Sequence, residues 1–167
     1  DLDEYQIAAL RGAPVDGYGV GTSLVTGSGA PTCGFVYKLV ARAADDAPGS
    51  PLFPVAKKSL NKTSIGGRKF ALRRLDERGH AEAEVIGIGT PPISDHNDRP
   101  LLVPLVVDGQ IVGREPLAAA RERHRRVLAE LPLAAHKMSR GDAAVETILL
   151  DDRGTPADNP YAKTAST

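Results

Sequence analysis

The sequence predicts an α/β chain: the end of an α/β unit, then a mainly β region, a helix and a polar tail. Three observations carry this. A short helical pattern at residues 3–10 runs through Gly12 and Pro14 into "VDGYGVG", and helix, tight turn and strand make half of a β/α repeat. β-branched, aromatic and alternating segments then fill much of residues 34–112. Last, "PLAAARERHRRVLAEL" (116–131) repeats apolar positions at helical spacing. The organisation expected is residues 1–34, 35–150 and a disordered tail 151–167.

Taken in order, "DEYQIAAL" reads as a helix capped by Asp3, with Gln6 at the capping-box position. Gly12 and Pro14 end it. "VDGYGVG" (15–21) reads as a short buried strand, and "GFVYKLVARA" (34–43) as another. "DDAPGSP" (45–51) is a surface turn. "LFPVAKKS" (52–59) is a strand that Pro54 confines to an edge. "LNKTSIGGRK" (60–69) is a basic loop. "AEAEVIGIG" (81–89) alternates as a half-buried strand does, and "TPPISDHNDRP" (90–100) is a polar connector. In "LLVPLVVDGQIV" two apolar arms flank Asp108-Gly109, the signature of a type I′ hairpin. In the helix, Pro116 suits the first turn, Leu117, Ala120, His124, Val127, Leu128 and Leu131 line one face, and Pro132 stops it.

Composition narrows the function. The 167 residues suffice for one domain with a core. Twenty-one basic and 21 acidic residues cancel, so no global field steers the chain to nucleic acid or an anionic membrane. Aromatics make up 4%, with no tryptophan, which argues against a stacking platform for single strands. No apolar run approaches the roughly 18 residues of a membrane span. The single Cys33 cannot form an internal disulfide and points to a reducing compartment. The chain opens on Asp1 and runs straight into a helix pattern, which suggests the back part of a longer protein.

The stretch richest in glycine is "VDGYGVGTSLVTGSG" (15–29). Gly17, Gly19 and Gly21 alternate, and Thr22 and Ser23 follow at once. Glycines let successive N–H groups converge on one anion, and hydroxyls at a helix start add donors. One reading of "GVGTS" is therefore a phosphate cradle. The other is a tight turn or β-bulge without a ligand. The basic residues Lys57, Lys58, Lys62, Arg68 and Lys69 form either a second anion contact or a solvated loop. "RERHRR" (121–126) reads as a solvated helix face, with Glu122 able to pair with Arg126. His80, His96, His124 and His136 show no metal-ligand spacing, and Cys33 has no partner thiol. No metal ligands are assigned.

"DLDEYQIAALRGAPVDGYGVGTSLVTGSGAPTCGFVYKLV", followed by "PVAKKS" and "GGRK", closely resembles the late-barrel segment of nicotinate phosphoribosyltransferases. "PLLVPLVVDGQIV" and the arginine-rich helix resemble that family's C-terminal portion. The resemblance implies the C-terminal part of an irregular type II phosphoribosyltransferase α/β barrel, joined to a mainly β segment and a terminal helix. It implies transfer of a phosphoribosyl group from phosphoribosyl pyrophosphate to nicotinate in cytoplasmic NAD salvage. Mg²⁺ accompanies the pyrophosphate, ATP is a co-substrate, and the full-length enzyme is expected to be a homodimer. By position, Gly19, Val20, Gly21 and Thr22 resemble the loop that holds the ribose 5-phosphate. Asp1 resembles the last residue of a Ser-Gly-Asp element that meets the ribose hydroxyls. Lys38 resembles a basic residue near the phosphates. The family's catalytic histidine and nicotinate contacts would lie upstream, so no catalytic residue is assigned here and the isolated chain is expected not to turn over. A non-catalytic anion-binding or assembly module derived from the fold is the alternative. Nicotinamide or quinolinate as substrate also stays open.

Overall fold

The computed structural model describes residues 1–27, 32, 34, 36–58, 64–138 and 142–158. The chain divides into two compact units: Asp1–Tyr37 with Lys137–Gly141, and Lys38–His136 with Asp142–Thr167.

The first unit opens with helix α1 (Glu4–Ala9). Its capping box is formed as the sequence predicts. Gln6 N–H donates to Asp3 Oδ1 at 2.8 Å, and Asp3 N–H donates to Gln6 Oε1 at 3.1 Å. A 3₁₀ turn, Leu10–Gly12, closes the helix. A four-residue helix, α2 (Thr22–Val25), follows with Gly21 as N-cap. The strand expected at 15–21 is absent, and Val15 and Tyr18 are exposed. A strand is stabilised by a ladder to a neighbour. The described residues of this unit contain no other strand to supply one, and glycine weakens a strand further.

The second unit is built on a four-stranded sheet in the order β5–β3–β4–β8. Its strands are β3 (Lys69–Leu75), β4 (Ala81–Ile88), β5 (Arg99–Pro100) and β8 (Glu146–Leu150). β3 runs antiparallel to β4 and β5, whereas β8 is parallel to β4. The alternation read in β4 is real: Ala81, Ala83, Val85 and Gly87 are buried, and the residues between them are not. Leu72, Ala83 and Val85 form the core, with Ile148 and Leu150 packed against it on the same sheet face. Gly87 allows a close approach there. A Cβ at that position would stand 2.1 Å from the Thr90 carbonyl oxygen and 3.0 Å from Pro92 Cδ, so a side chain would push the 90–92 segment off β4.

Two small antiparallel ladders complete the strands. β1 (Ala41–Ala43) pairs with β2 (Leu52–Pro54), so the strand expected over 34–43 is confined to its last three residues; Phe35 lies outside the described ones. β6 (Val106–Val107) pairs with β7 (Gln110–Ile111) around the predicted turn, where Asp108 and Gly109 have φ of 47° and 75°. That double left-handed pair is what a type I′ turn requires.

Helix α3 (Leu117–Ala129) begins one residue after Pro116, which serves as N-cap with ψ 149°. Its apolar stripe is only partly covered: Ala120, Val127 and Leu131 are half-buried, but no residue of the helix is fully buried and Leu117 is 68% exposed. The Glu122–Arg126 pair is replaced by Glu122 with Arg125, one residue closer, while Arg123 Nη2 reaches Glu115 at 2.9 Å.

The tail expected to be disordered is ordered at its start. "DERGH" (76–80) and "DDRGT" (151–155) fold into the same turn. Asp76 Oδ1 accepts from the N–H groups of Arg78 and His80, and Asp151 Oδ1 from those of Arg153 and Thr155, all at 2.7–2.9 Å. Gly79 and Gly154 take positive φ in both. Ala157 N–H then donates to Leu149 O at 2.8 Å, so the strand edge carries the chain beyond the turn. Residues 159–167, like Lys62 and Cys33, lie outside the described ones.

The N–H of His80, more than any other contact, holds the Asp76 carboxyl below the usual aspartate range. A carboxyl depressed in the folded state contributes stability above its unfolded pKa, and that stability is lost as pH falls through the folded value. Asp76→Ala is therefore expected to speed amide exchange of Arg78 and His80 at neutral pH. The difference from the parent chain should vanish towards about pH 2, below the ordinary aspartate range. An equal difference at both pH values would remove the carboxylate from the turn's account.

Candidate phosphate-binding loop

The capping box fixes where the chain enters α1, two residues after Asp1. From there the Asp1 carboxylate reaches the glycine loop. Its Oδ2 accepts from the Ser23 N–H at 2.9 Å and the Ser23 hydroxyl at 3.3 Å, and its Oδ1 accepts from the Gly21 N–H at 3.4 Å. Two backbone amides and a hydroxyl thus converge on one anionic group, the donor arrangement that a nest supplies.

Of the residues picked from sequence, the structure brings Asp1 and Gly21 together and sets Thr22 at the start of α2. Gly19 and Val20 lead into that turn. Ser23 was read as a hydroxyl donor, and it proves the group most engaged with the carboxylate. Lys38 belongs to the second unit and is described there.

The backbone does not force the glycines. None of Gly17, Gly19 and Gly21 takes positive φ, and a Cβ at Gly17 or Gly19 would meet no heavy atom within 4 Å. At Gly21 a Cβ would meet only Asp1 Oδ1, at 3.8 Å. Its φ of −111° and ψ of −100° lie outside the main allowed regions for other residues, so Gly21 has a conformational reason to be glycine. The space beside Gly19 is open clearance along the loop.

No three His, Cys, Asp or Glu side chains group as metal ligands among the described residues. No helix among them is long and apolar enough to cross a membrane.

Comparison with known proteins finds the chain similar to nicotinate phosphoribosyltransferases. Over 88% of its length it is 49% identical to a nicotinate phosphoribosyltransferase, pncB1 of Mycobacterium tuberculosis. It is 36% identical over 78% of its length to pncB2 of the same organism. It is also 36% identical over 57% of its length to the nicotinate phosphoribosyltransferase of Bacillus subtilis. The chain spans 31%, 27% and 20% of the lengths of these three proteins. No family model and no solved structure matches it. The resemblance read from "DGYGVGT" and "VYKLV" is thus a relationship that runs along most of the chain.

Proposed function

We propose that this chain is the phosphate-holding part of a nicotinate phosphoribosyltransferase, which joins nicotinate to the ribose of phosphoribosyl pyrophosphate and releases pyrophosphate. The observation that carries the proposal is the 49% identity over 88% of the chain. The loop geometry supports it, because the Gly21 and Ser23 amides already donate to a carboxylate. When the ribose 5-phosphate takes those amides, Asp1 is released and turns to the ribose hydroxyls. Phosphate and ribose belong to one molecule, so the exchange needs only a short movement of the side chain.

Within this reading the barrel is of the irregular type II kind, and the catalytic histidine and nicotinate contacts come from outside this chain. ATP is a co-substrate, the assembled enzyme is a homodimer, and it works in the cytoplasm. Mg²⁺ would accompany the pyrophosphate, taking its ligands from phosphate oxygens and water. When bound, it neutralises charge on the pyrophosphate. The exposed apolar side chains Leu102, Val103, Leu105 and Ile111 support completion by further protein, since contiguous apolar surface marks an interaction site.

The alternative, a non-catalytic anion-binding module, is favoured by one observation: Asp1 already satisfies the loop's donors. The two readings separate in one experiment. The purified 167-residue chain is expected to form no nicotinate mononucleotide, and mixing it with the separately made remainder of a relative should restore product. Failure to restore it in any mixture that assembles would favour the module. Turnover by the chain alone would refute the expectation of inactivity.

A further inference from the structure

We propose that the hairpin β6–β7 is an arm clasped on both faces by the remainder of a longer transferase. The inference rests on the reading above and names the part of this chain that joins it to the rest.

The arm is preformed. Leu101 N–H donates to Ala71 O at 3.0 Å, which anchors its base to β3. The Val112 and Gly113 N–H groups donate to Leu105 O at 2.9 and 3.2 Å and hold the two strands together. At Gly113 a Cβ would stand 2.6 Å from Leu105 Cδ2, so the returning strand lies tightly on the outgoing one. With the Asp108-Gly109 turn, these contacts fix the arm's shape before any partner arrives.

Its residue pattern is that of a buried ladder. The register pairs Val106 with Ile111 on one face and Val107 with Gln110 on the other. Alternation puts Leu105 and Val112 on the face of Val107. These five apolar side chains are 46–68% exposed. Residues 102–107 and 110–113 carry no charge, and Gln110 is their one polar side chain. A hairpin with one face in water sets polar residues on that face, and a two-stranded hairpin alone in water is marginal at best. One that is apolar on both faces is complete only between two apolar walls.

A second copy does not supply both walls by two-fold pairing of the arms, because that contact covers one face and leaves the other in water. The remainder of the transferase has the size to do so. The chain spans 31% of the pncB1 relative and 27% of pncB2, so most of each lies outside it. The lack of charge also separates the arm from α3, whose exposed side chains include Arg121, Arg125 and Arg126. Docking through α3 would weaken as salt screens it, whereas docking through the arm would not.

The test is a titration of the 167-residue chain with the separately made remainder of the pncB1 relative. On assembly the methyls of Val106 and Ile111, and equally those of Val107 and Val112, should lose their relaxation by a dissolved gadolinium chelate. Ile111→Thr and Val112→Thr, one on each face, should each weaken assembly about tenfold, because a hydroxyl then meets an apolar wall. Threonine is β-branched, so the ladder keeps its strand preference. Added salt should leave the affinity unchanged. Protection of one face alone, undiminished affinity in either variant, or assembly that fails in salt would overturn the proposal while leaving the transferase reading standing. Product formation by the assembled mixture judges that reading separately. A parent chain that does not bind the remainder at all would overturn both.

Discussion

Glu130→Ala is expected to destabilise the second unit by about 3 kcal/mol, the low end of what removal of one partner from a buried ion pair costs. Glu130 is the C-cap of α3, and its side chain is only 11% exposed. Both its carboxylate oxygens accept from Arg99 Nε at 3.1 Å, and Oε2 stands 3.9 Å from Arg73 Nη1. Arg73 is 13% exposed, and its Nε and Nη1 lack hydrogen-bond partners. Truncating Glu130 would leave Arg73 with Glu84 alone and Arg99 with no carboxylate. Arg99 retains some access to water, which limits its share of the loss. α3 depends on this contact because none of its own residues is buried, whereas the Glu130 carbonyl accepts the Ala81 N–H at 2.6 Å. The urea midpoint should therefore fall and α3 amides should lose protection together. Adding Arg99→Met should recover part of the loss, since it removes an uncompensated cation. A fall below about 1 kcal/mol, the scale of an exposed pair, would show that the cluster is solvated and contributes little.

How much of this could be read in the chain depended on the range of the forces involved. The capping box at Asp3 and Gln6, the alternation of β4 and the Asp108-Gly109 hairpin are set by residues at most a few positions apart, and all three formed. The expected strand at 15–21 failed because a strand needs a partner, and its segment found none among the described residues. β8 was overlooked although "ETILL" is rich in apolar and β-branched residues. Its placement depends on parallel pairing with β4, some sixty positions earlier, which no local pattern announces. The ordered turn at 151–155 did have a local signal. It repeats the Asp-x-Arg-Gly spacing of residues 76–79, and that match was hidden by the polar composition of the tail. At the loop, the glycines and hydroxyls were legible as anion donors. That Asp1 would occupy them was not, because the contact joins residues twenty and more positions apart.

Gly19→Val separates a glycine kept for a ligand from one kept for the fold. A Cβ at Gly19 would meet nothing within 4 Å and its φ is not positive, so the substitution should change stability by less than about 0.5 kcal/mol, as exposed changes usually do. In an enzyme assembled from this chain and the remainder of a relative, the branched side chain would stand along the approach to the Gly21 and Ser23 amides. Losing one such charge-assisted bond removes roughly 1.5–3 kcal/mol, so kcat/KM for phosphoribosyl pyrophosphate should fall by about 10²-fold. Asp1→Ala gives the complementary result. It frees both amides from their internal carboxylate, so inorganic phosphate should bind the 167-residue chain more tightly than it binds the parent. Wild-type kinetics in Gly19→Val, with phosphate affinity unmoved by Asp1→Ala, would mean that the loop amides serve Asp1 alone. The glycines would then hold a turn rather than a phosphate.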